Sequence, residues 1–140
     1  MNKIELIELV EKLNLPDDEY SICSTGSLVI RDIYDKAKDL DLQITDKCFE
    51  YIKNSGLKYH FKDLNHEFSH PLYNLDDYDV DFFVMPKEEI LYDYVDGYPC
   101  QDVKVILEFK KYRNLPKDQE PIRLIEEYLK NKGEKHERNI

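Results

Sequence analysis

The chain of 140 residues carries 30 acidic residues against 20 lysines and arginines, which gives it a formal net charge of −10. Proteins that bind duplex nucleic acid neutralise phosphates with a basic surface, so this charge disfavours a polynucleotide partner but not a mononucleotide held by a few cations. Hydrophobic residues make up 41% and charged residues 36% of the chain, a composition typical of a globular domain and not of a disordered segment.

Length and composition predict a single domain over residues 1–131, followed by a charged, frayed tail over residues 132–140. No apolar stretch approaches the roughly 18 residues that a membrane span requires, so we expect no membrane partner. The first residues have the pattern of an amphipathic helix that contains acids, unlike a signal peptide, and we therefore expect a cytoplasmic protein. Cys23, Cys48 and Cys100 are widely spaced, which indicates reduced thiols and not a zinc site.

In the first half of the chain, apolar residues recur with helical and strand periods in alternation. Asn2 and Glu5 have the spacing of a capping box at the start of a helix. The alternation of apolar and polar residues over 40–44 is typical of a strand. In chain order the pattern predicts a helix from Asn2, a strand over 20–24, a helix from Ser27, a strand over 40–44 and a helix over 46–56.

The second half is less regular but still mixes both kinds of element. It predicts a strand over 57–61, a loop with a short edge strand over 65–77, a strand over 78–85, a helical turn over 87–91, a turn at Asp96-Gly97, and helices over 103–112 and 119–129. This alternation predicts an α/β or α+β fold in which a mixed β-sheet is flanked by helices and the chain ends in a helical pair.

Two aspartates, Asp39 and Asp41, lie one residue apart at the strand over 40–44. Residues i and i+2 of a strand point to one face, so both carboxylates share a face while Leu40 and Leu42 point into the core. Carboxylates buried together are costly unless a cation pairs with them, and carboxylate oxygens are the ligands that divalent ions such as Mg²⁺ prefer. The pattern predicts a metal site, and a solvated strand face is the alternative.

Asp79 and Asp81 repeat the spacing in the strand over 78–85. If this strand lies beside the strand over 40–44, a third carboxylate joins the cluster, where it can bind metal and accept a proton from an attacking hydroxyl. We prefer Asp81 because it lies deeper in the apolar run, whereas Asp79 stands near the strand start. A solvated position is the alternative for both residues.

The tripeptide Thr25-Gly26-Ser27 falls at a predicted strand-to-helix junction. Free backbone N–H groups and the helix dipole favour an anion at such a junction. Gly26 would let a phosphate approach the backbone and the Ser27 hydroxyl would donate to it, although Ser27 is also a good helix N-cap. Together with the aspartates twelve residues further on, the tripeptide predicts that a triphosphate and metal ions meet at one end of a sheet.

The stretch STGSLVIRDIYDKAKDLDLQI, with a Gly-Ser turn, a helix and a D-x-D strand, resembles the signature of the DNA polymerase β-like nucleotidyltransferase superfamily. The stretch ILEFKKYRNLPKDQEPI is similar to the C-terminal signature of its small bacterial branch. The resemblance implies a nucleotidyltransferase fold and an enzyme that transfers a nucleoside monophosphate from an NTP to an acceptor hydroxyl with two Mg²⁺ ions. Because the chain is acidic, a small molecule or a protein is favoured as the acceptor over an RNA end.

The resemblance also implies roles for single residues. Asp39, Asp41 and Asp81 match the catalytic, metal-binding acids, and the residues that match the nucleotide-binding positions are Gly26, Ser27, Lys36, Lys110 and Lys117. Thr25 stands where the family turn has glycine, and Pro121 replaces an aspartate that often follows the Lys-Asp pair. The alternative function is therefore a catalytically weakened binding or regulatory module that acts as half of a two-protein system.

Other polar residues carry weaker signals. Asp118 fits a helix N-cap as well as it fits a site residue, and Lys110 fits an ordinary surface position of a helix. The histidines have no spacing typical of a metal site, and we expect surface or loop positions for His60, His66, His70 and His136.

Overall fold

A computed structural model describes residues 1–65 and 70–138 of the chain. His66 and the side chain of His136 lie outside the described part, as do residues 139 and 140 of the predicted tail. The helices are α1 (Lys3–Leu13), α2 (Ser24–Ile30), α3 (Asp46–Asn54), α4 (Val103–Arg113) and α5 (Gln119–Arg138). The strands are β1 (Tyr20–Cys23), β2 (Leu40–Ile44), β3 (Tyr59–Asn65), β4 (His70–Leu75), β5 (Val80–Val84), β6 (Tyr92–Val95) and β7 (Tyr98–Gln101).

Across the described residues the strands form one mixed seven-stranded sheet in the order β3-β4-β5-β2-β1-β7-β6. Strand β2 runs antiparallel to β1 and parallel to β5, and β7 pairs in parallel with β1. The fold is therefore α+β with a mixed sheet flanked by helices, as the sequence predicts. The predicted adjacency of the two aspartate-bearing strands is also confirmed, because Asp41 pairs with Asp81 in the β2–β5 register.

The alternation of residues along the central strands separates two faces of the sheet. Leu40, Leu42 and Phe82 are at most 1% exposed and belong to the main core, which α1 and α3 cover. Residues at the intervening positions, among them Asp41 and Asp81, project to the opposite side, which we call the acid face. A smaller apolar cluster joins α2, α4 and α5. The core thus fixes which side chains reach the acid face.

The prediction of a loop with an edge strand over 65–77 is wrong for its second half. Strand β4 is six residues long and lies between β3 and β5, so β3 is the edge. The reason is packing: Leu75 is buried, and the Tyr73 ring stacks on Phe82 with centroids 5.3 Å apart. Pro71 is tolerated because it stands near the strand start, where a missing N–H disturbs the ladder least.

The predicted turn at Asp96-Gly97 joins two strands, β6 and β7, that the sequence analysis does not predict. Both turn residues have positive φ, 53° at Asp96 and 86° at Gly97, as in the tight turns typical of hairpins. Helix α5 continues to Arg138, so the described part of the predicted tail is helical. Among the described residues no helix is both long enough and apolar enough to cross a membrane.

Candidate functional site

Three carboxylates meet on the acid face, at the end of the sheet where β2 and β5 begin. One oxygen from each of Asp39, Asp41 and Asp81 lies within 4.8 Å of the others. The register of β2 and β5 sets Asp41 beside Asp81, and Asp39 joins them from two residues earlier in the chain. Asp79, the alternative third acid, is exposed and precedes β5, and it lies outside this cluster.

Burial and mutual repulsion raise the pKa of two of these carboxyl groups. The pKa of Asp41 rises to about 7, first because the group is buried and then because Asp39 and Asp81 are close. Burial and the nearby Asp81 likewise raise the pKa of Asp39. Burial of closely spaced acids without enough positive charge disfavours their ionised forms. The cluster is therefore an environment that a cation would stabilise.

Two side chains bind the third acid directly. The Asn74 amide donates to Asp81 Oδ1 over 2.7 Å, and Lys62 Nζ donates to Asp81 Oδ2 over 3.0 Å. The hydrogen bond to Asp81 raises the pKa of Lys62, with Asp39 and Asp41 contributing at longer range. The Lys62 side chain is 50% exposed, so it reaches the cluster from solvent. The sequence analysis missed both residues, because the strands that carry them have no clear alternation of apolar residues.

Helix α2 begins at Ser24, three residues before the predicted start at Ser27. Ser24 has a positive φ of 57°, and its N–H donates to Gln101 Oε1 over 2.8 Å. The left-handed residue at this junction is thus Ser24, and neither Thr25 nor Gly26 adopts that conformation. Ser24 and Thr25 border the cleft beside Asp39 and Asp41.

This earlier start removes Gly26 and Ser27 from the junction where the phosphate turn is expected. The Ser27 hydroxyl is fully buried, donates to the Gln101 carbonyl over 2.9 Å and accepts from Arg31 Nε over 3.2 Å. A Cβ atom on Gly26 would lie 3.0 Å from Ile22 Cγ2, so glycine here allows α2 to pack closely on β1. The expected contacts of these two residues with phosphate therefore have no support in the geometry, which gives both a packing role.

Basic side chains also border the cleft that contains Asp39 and Asp41. They come from the segment before β2 and from the corner between α4 and α5: Lys36, Lys38, Lys110, Arg113 and Lys117. This set contains every lysine that the resemblance assigns to the nucleotide, and it adds Lys38 and Arg113. Lys110 is not an ordinary surface residue, since it is only 4% exposed and burial lowers its pKa.

Asp118 organises that basic corner from inside. It is fully buried and accepts from Arg113 Nε over 2.9 Å, from Arg113 Nη2 and from the Leu115 N–H over 2.9 Å. Lys110 Nζ lies 3.8 Å from Asp118 Oδ1. The hydrogen bonds from Arg113 hold the pKa of Asp118 down to about 2. These contacts give Asp118 a third role beside the predicted helix N-cap and site residue, because its carboxylate positions Lys110 and Arg113.

The cleft has two lobes that share Ser24, Asp39, Asp41 and Arg113. The first, which we call the cationic lobe, has a volume of about 410 Å³ and is bordered by the basic side chains and Tyr34. The second, which we call the apolar lobe, has a volume of about 220 Å³. Its border includes Asp81, residues from β2, β4, β5, β7 and α4, and the residue just after β5: Gln43, Leu72, Phe83, Gln101, Ile106, Phe109 and Met85. The sequence analysis missed these residues because they converge through strand register and helix packing.

Comparison of the chain with family models, with curated proteins and with solved structures finds no match. The likeness of STGSLVIRDIYDKAKDLDLQI to a nucleotidyltransferase signature remains a prediction for this reason. The function has to be argued from the two-lobed cleft and its acids.

Proposed function

We propose that the protein has a nucleotidyltransferase fold and transfers a nucleoside monophosphate from an NTP to an acceptor hydroxyl with Mg²⁺. The observation that supports this proposal is the position of three carboxylates, within 4.8 Å of one another, directly beside a lobe bordered by lysines. A Mg²⁺–NTP complex presents a divalent cation and a polyanionic chain side by side. The acids fit the cation and the cationic lobe fits the phosphates.

The donor set at the acids suits Mg²⁺. Asp39, Asp41 and Asp81 offer hard carboxylate oxygens, and Mg²⁺ is usually held by one or two carboxylates together with waters and substrate phosphates. When bound, the metal would polarise the α-phosphate and neutralise charge that develops on its oxygens. The pKa of about 7 at Asp41 fits this role, because a divalent ion would restore the ionised form of a carboxyl that burial disfavours.

The chain's own basic residues would hold the phosphates that leave. Lys110 is buried at the border of the cationic lobe, and its ion pair with Asp118 holds it in place. Lys36 and Lys117 border the same lobe from exposed positions. The proposed role of Lys110 is to bind a phosphate oxygen in a fixed geometry, whereas Lys36 and Lys117 attract the triphosphate and close on it.

A binding module without turnover is the second candidate, and the Lys62–Asp81 ion pair favours it. Lys62 Nζ lies 3.0 Å from Asp81 Oδ2, so one acid of the cluster already has a cationic partner from the chain itself. A cluster neutralised in this way could bind a nucleotide through the cationic lobe while supporting little chemistry. The two candidates differ in whether pyrophosphate is released.

The experiment measures thermal shifts with ATP, CTP, GTP and UTP, each with Mg²⁺, and then pyrophosphate release in the wild type, Asp41→Asn and Asp79→Asn. We expect an NTP-dependent shift, and a fall in release of about 10²–10³-fold in Asp41→Asn, as when one group that stabilises transition-state charge is lost. Asp79→Asn is the matched control, because Asp79 is exposed and outside the cluster, and we expect it to change release less than about 2-fold.

The possible outcomes distinguish the two candidates from each other and from neither. NTP binding without pyrophosphate release supports the binding module. Release that survives Asp41→Asn rejects the metal assignment, and the absence of any NTP-dependent shift rejects both candidates.

A further inference from the structure

The two lobes share Asp39 and Asp41, and that arrangement bears on the acceptor. In phosphoryl and nucleotidyl transfer the attacking oxygen and the leaving oxygen stand roughly in line on opposite sides of the phosphorus. An α-phosphate at Asp39 and Asp41 would therefore send pyrophosphate towards one lobe and receive the acceptor from the other. The inference rests on the proposed function, because it needs an NTP at this site.

Charge and size identify the lobe that takes the NTP. The cationic lobe, at about 410 Å³, is the larger and is bordered by lysines that can bind the β- and γ-phosphates. The Tyr34 ring borders the same lobe and offers an aromatic surface on which a nucleobase can stack. The whole nucleotide can thus lie on that side, which leaves the apolar lobe, at about 220 Å³, for a smaller group.

Apolar and aromatic side chains form much of the lining of the apolar lobe. Leu72, Met85 and Ile106 form apolar walls, and the Phe83 and Phe109 rings add aromatic surface. Aromatic side chains pack favourably against another ring in edge-to-face or offset geometry. The lobe therefore suits a flat, uncharged ring.

Apart from the three carboxylates of the cluster, the polar groups of the lobe are neutral or already paired. Gln43 and Gln101 are each 8% exposed, and their amide oxygens accept from the Ser21 hydroxyl over 3.3 Å and the Ser24 N–H over 2.8 Å. Arg113 also borders the lobe, but its guanidinium is ion-paired with Asp118. His70 also borders the lobe, and its Nε2 lies 3.5 Å from Glu89 Oε2. Among the described residues Arg113 is the only lysine or arginine on the border of this lobe. Because Asp118 pairs with that guanidinium and three carboxylates line the lobe, a sugar phosphate or a nucleic-acid end would meet an excess of negative charge there.

We propose that the apolar lobe is the acceptor site and that the acceptor is an uncharged aromatic group with a hydroxyl, as in a phenol. Its oxygen forms a bond to the α-phosphorus while the bond from that phosphorus to the bridging oxygen breaks. The electron pair of the broken bond leaves with pyrophosphate into the cationic lobe. The hydroxyl proton passes to the Asp81 carboxylate, which borders the apolar lobe. The phenol belongs either to a small molecule or to a tyrosine side chain.

The experiment separates the two lobes with one charge placed in each. Met85→Glu introduces a carboxylate into the apolar lobe, with Met85→Leu as its size-matched apolar control, and Lys117→Glu reverses a charge in the cationic lobe. Affinity for an NTP analogue that cannot be cleaved is measured with Mg²⁺. Binding of N-acetyl-L-tyrosinamide and of 4-methylphenol is then followed by ligand-observed NMR with the analogue bound.

We expect Met85→Glu to weaken binding of both phenols at least about 10-fold, because a carboxylate removes the apolar character of the lobe, and to change analogue affinity less than about 2-fold. Lys117→Glu should weaken binding of the analogue about 5–10-fold, and Met85→Leu should weaken binding of the phenols much less than Met85→Glu does, because it keeps the wall apolar. Tighter binding of the tyrosine amide assigns a protein acceptor, and tighter binding of 4-methylphenol assigns a small molecule.

Other outcomes overturn the inference. It fails if Met85→Glu weakens binding of the analogue as much as binding of the phenols, because the nucleotide then occupies the apolar lobe. It also fails if the analogue binds but neither phenol does, or if a 3′-hydroxyl oligoribonucleotide or glucose 1-phosphate binds more tightly than the phenols. Failure of the analogue to bind the wild type rejects the proposed function itself.

Discussion

Two carboxyl groups at the border of the cationic lobe, Asp118 and Asp41, are both withdrawn from water but in opposite surroundings. Asp118 receives hydrogen bonds from Arg113 and the Leu115 N–H, and its pKa falls to about 2. Asp41 has acids as its nearest charged neighbours, and its pKa rises to about 7. The chain itself supplies the partners of Asp118, whereas Asp41 is left to be neutralised by something from outside. Asp118 therefore supports the structure of the site, whereas Asp41 would bind a cation there.

The largest effect should come from Asp118→Asn, which removes the charge that Arg113 and Lys110 share in a buried setting. Breaking one partner out of a buried ion pair leaves charge uncompensated, and we expect a loss of about 3–5 kcal/mol in the free energy of unfolding. Urea denaturation at pH 7 measures it. The matched control is Glu120→Gln, whose ion pair with Arg123 is exposed and should cost less than about 1 kcal/mol. Similar losses in both variants would contradict a supporting role for Asp118.

Next in size is the dependence of metal-free stability on pH. The ordinary pKa of an aspartate, near 3.8, lies above that of folded Asp118 and below that of folded Asp41. Between about pH 2 and pH 4 the unfolded chain holds more protons at Asp118, so stability rises with pH. Between about pH 4 and pH 7 the folded chain holds more protons at Asp41, so stability falls with pH and stays low above pH 7.

Asp41→Asn should remove this fall and raise stability at pH 8 by about 2–4 kcal/mol in the absence of metal. Denaturant unfolding from pH 3 to pH 8 measures the effect, with Asp79→Asn as the variant that should retain the fall. Mg²⁺ added to the wild type at pH 8 should recover part of the lost stability, because a bound cation favours ionised Asp41. If the free energy of unfolding of the wild type rises steadily to pH 8, the raised pKa of Asp41 is wrong.

The smallest expected effect is on metal affinity, after substitution of Lys62, which forms an ion pair with the acid cluster. Lys62→Met removes a competing cation from Asp81, so we expect Mn²⁺ to bind about 2–5-fold more tightly, as measured by calorimetry. The effect is small because the Lys62 side chain is 50% exposed and already screened by water. Lys58→Met is the matched control from an exposed position just before β3. Weaker Mn²⁺ binding in Lys62→Met would mean that Lys62 supports the metal site.

The sequence predicts structure most reliably where the spacing of nearby residues determines which face of a strand they share. The i, i+2 spacing of Asp39 and Asp41 beside an apolar alternation predicts that they share a face, and the repeat of this spacing at Asp79 and Asp81 predicts a third acid. Strand β4 escaped prediction because its ring packing on Phe82 depends on a neighbour that only the folded sheet supplies. The start of α2 escaped because the positive φ of Ser24 is held by a hydrogen bond to Gln101, 77 residues away.

Gly26 is instructive for a different reason. A glycine before a helix predicts room for a phosphate, whereas in the structure Ile22 packs against the space that a side chain would fill. Both uses need the absence of a side chain, so the residue type alone does not distinguish them. The residue type of Lys110 likewise does not reveal that this lysine is buried, because its partner Asp118 lies eight residues further along the chain.

Cys23 lies opposite Asp41 in the β1–β2 register, and burial together with the nearby acids raises the pKa of its thiol well above the ordinary range. The other two thiols, Cys48 and Cys100, are buried as well. Alkylating reagents attack thiolates, so all three sulfurs should stay unmodified while the fold is closed. Iodoacetamide labelling followed by mass spectrometry can therefore time the opening of this protein at its central strands, with no engineered probe.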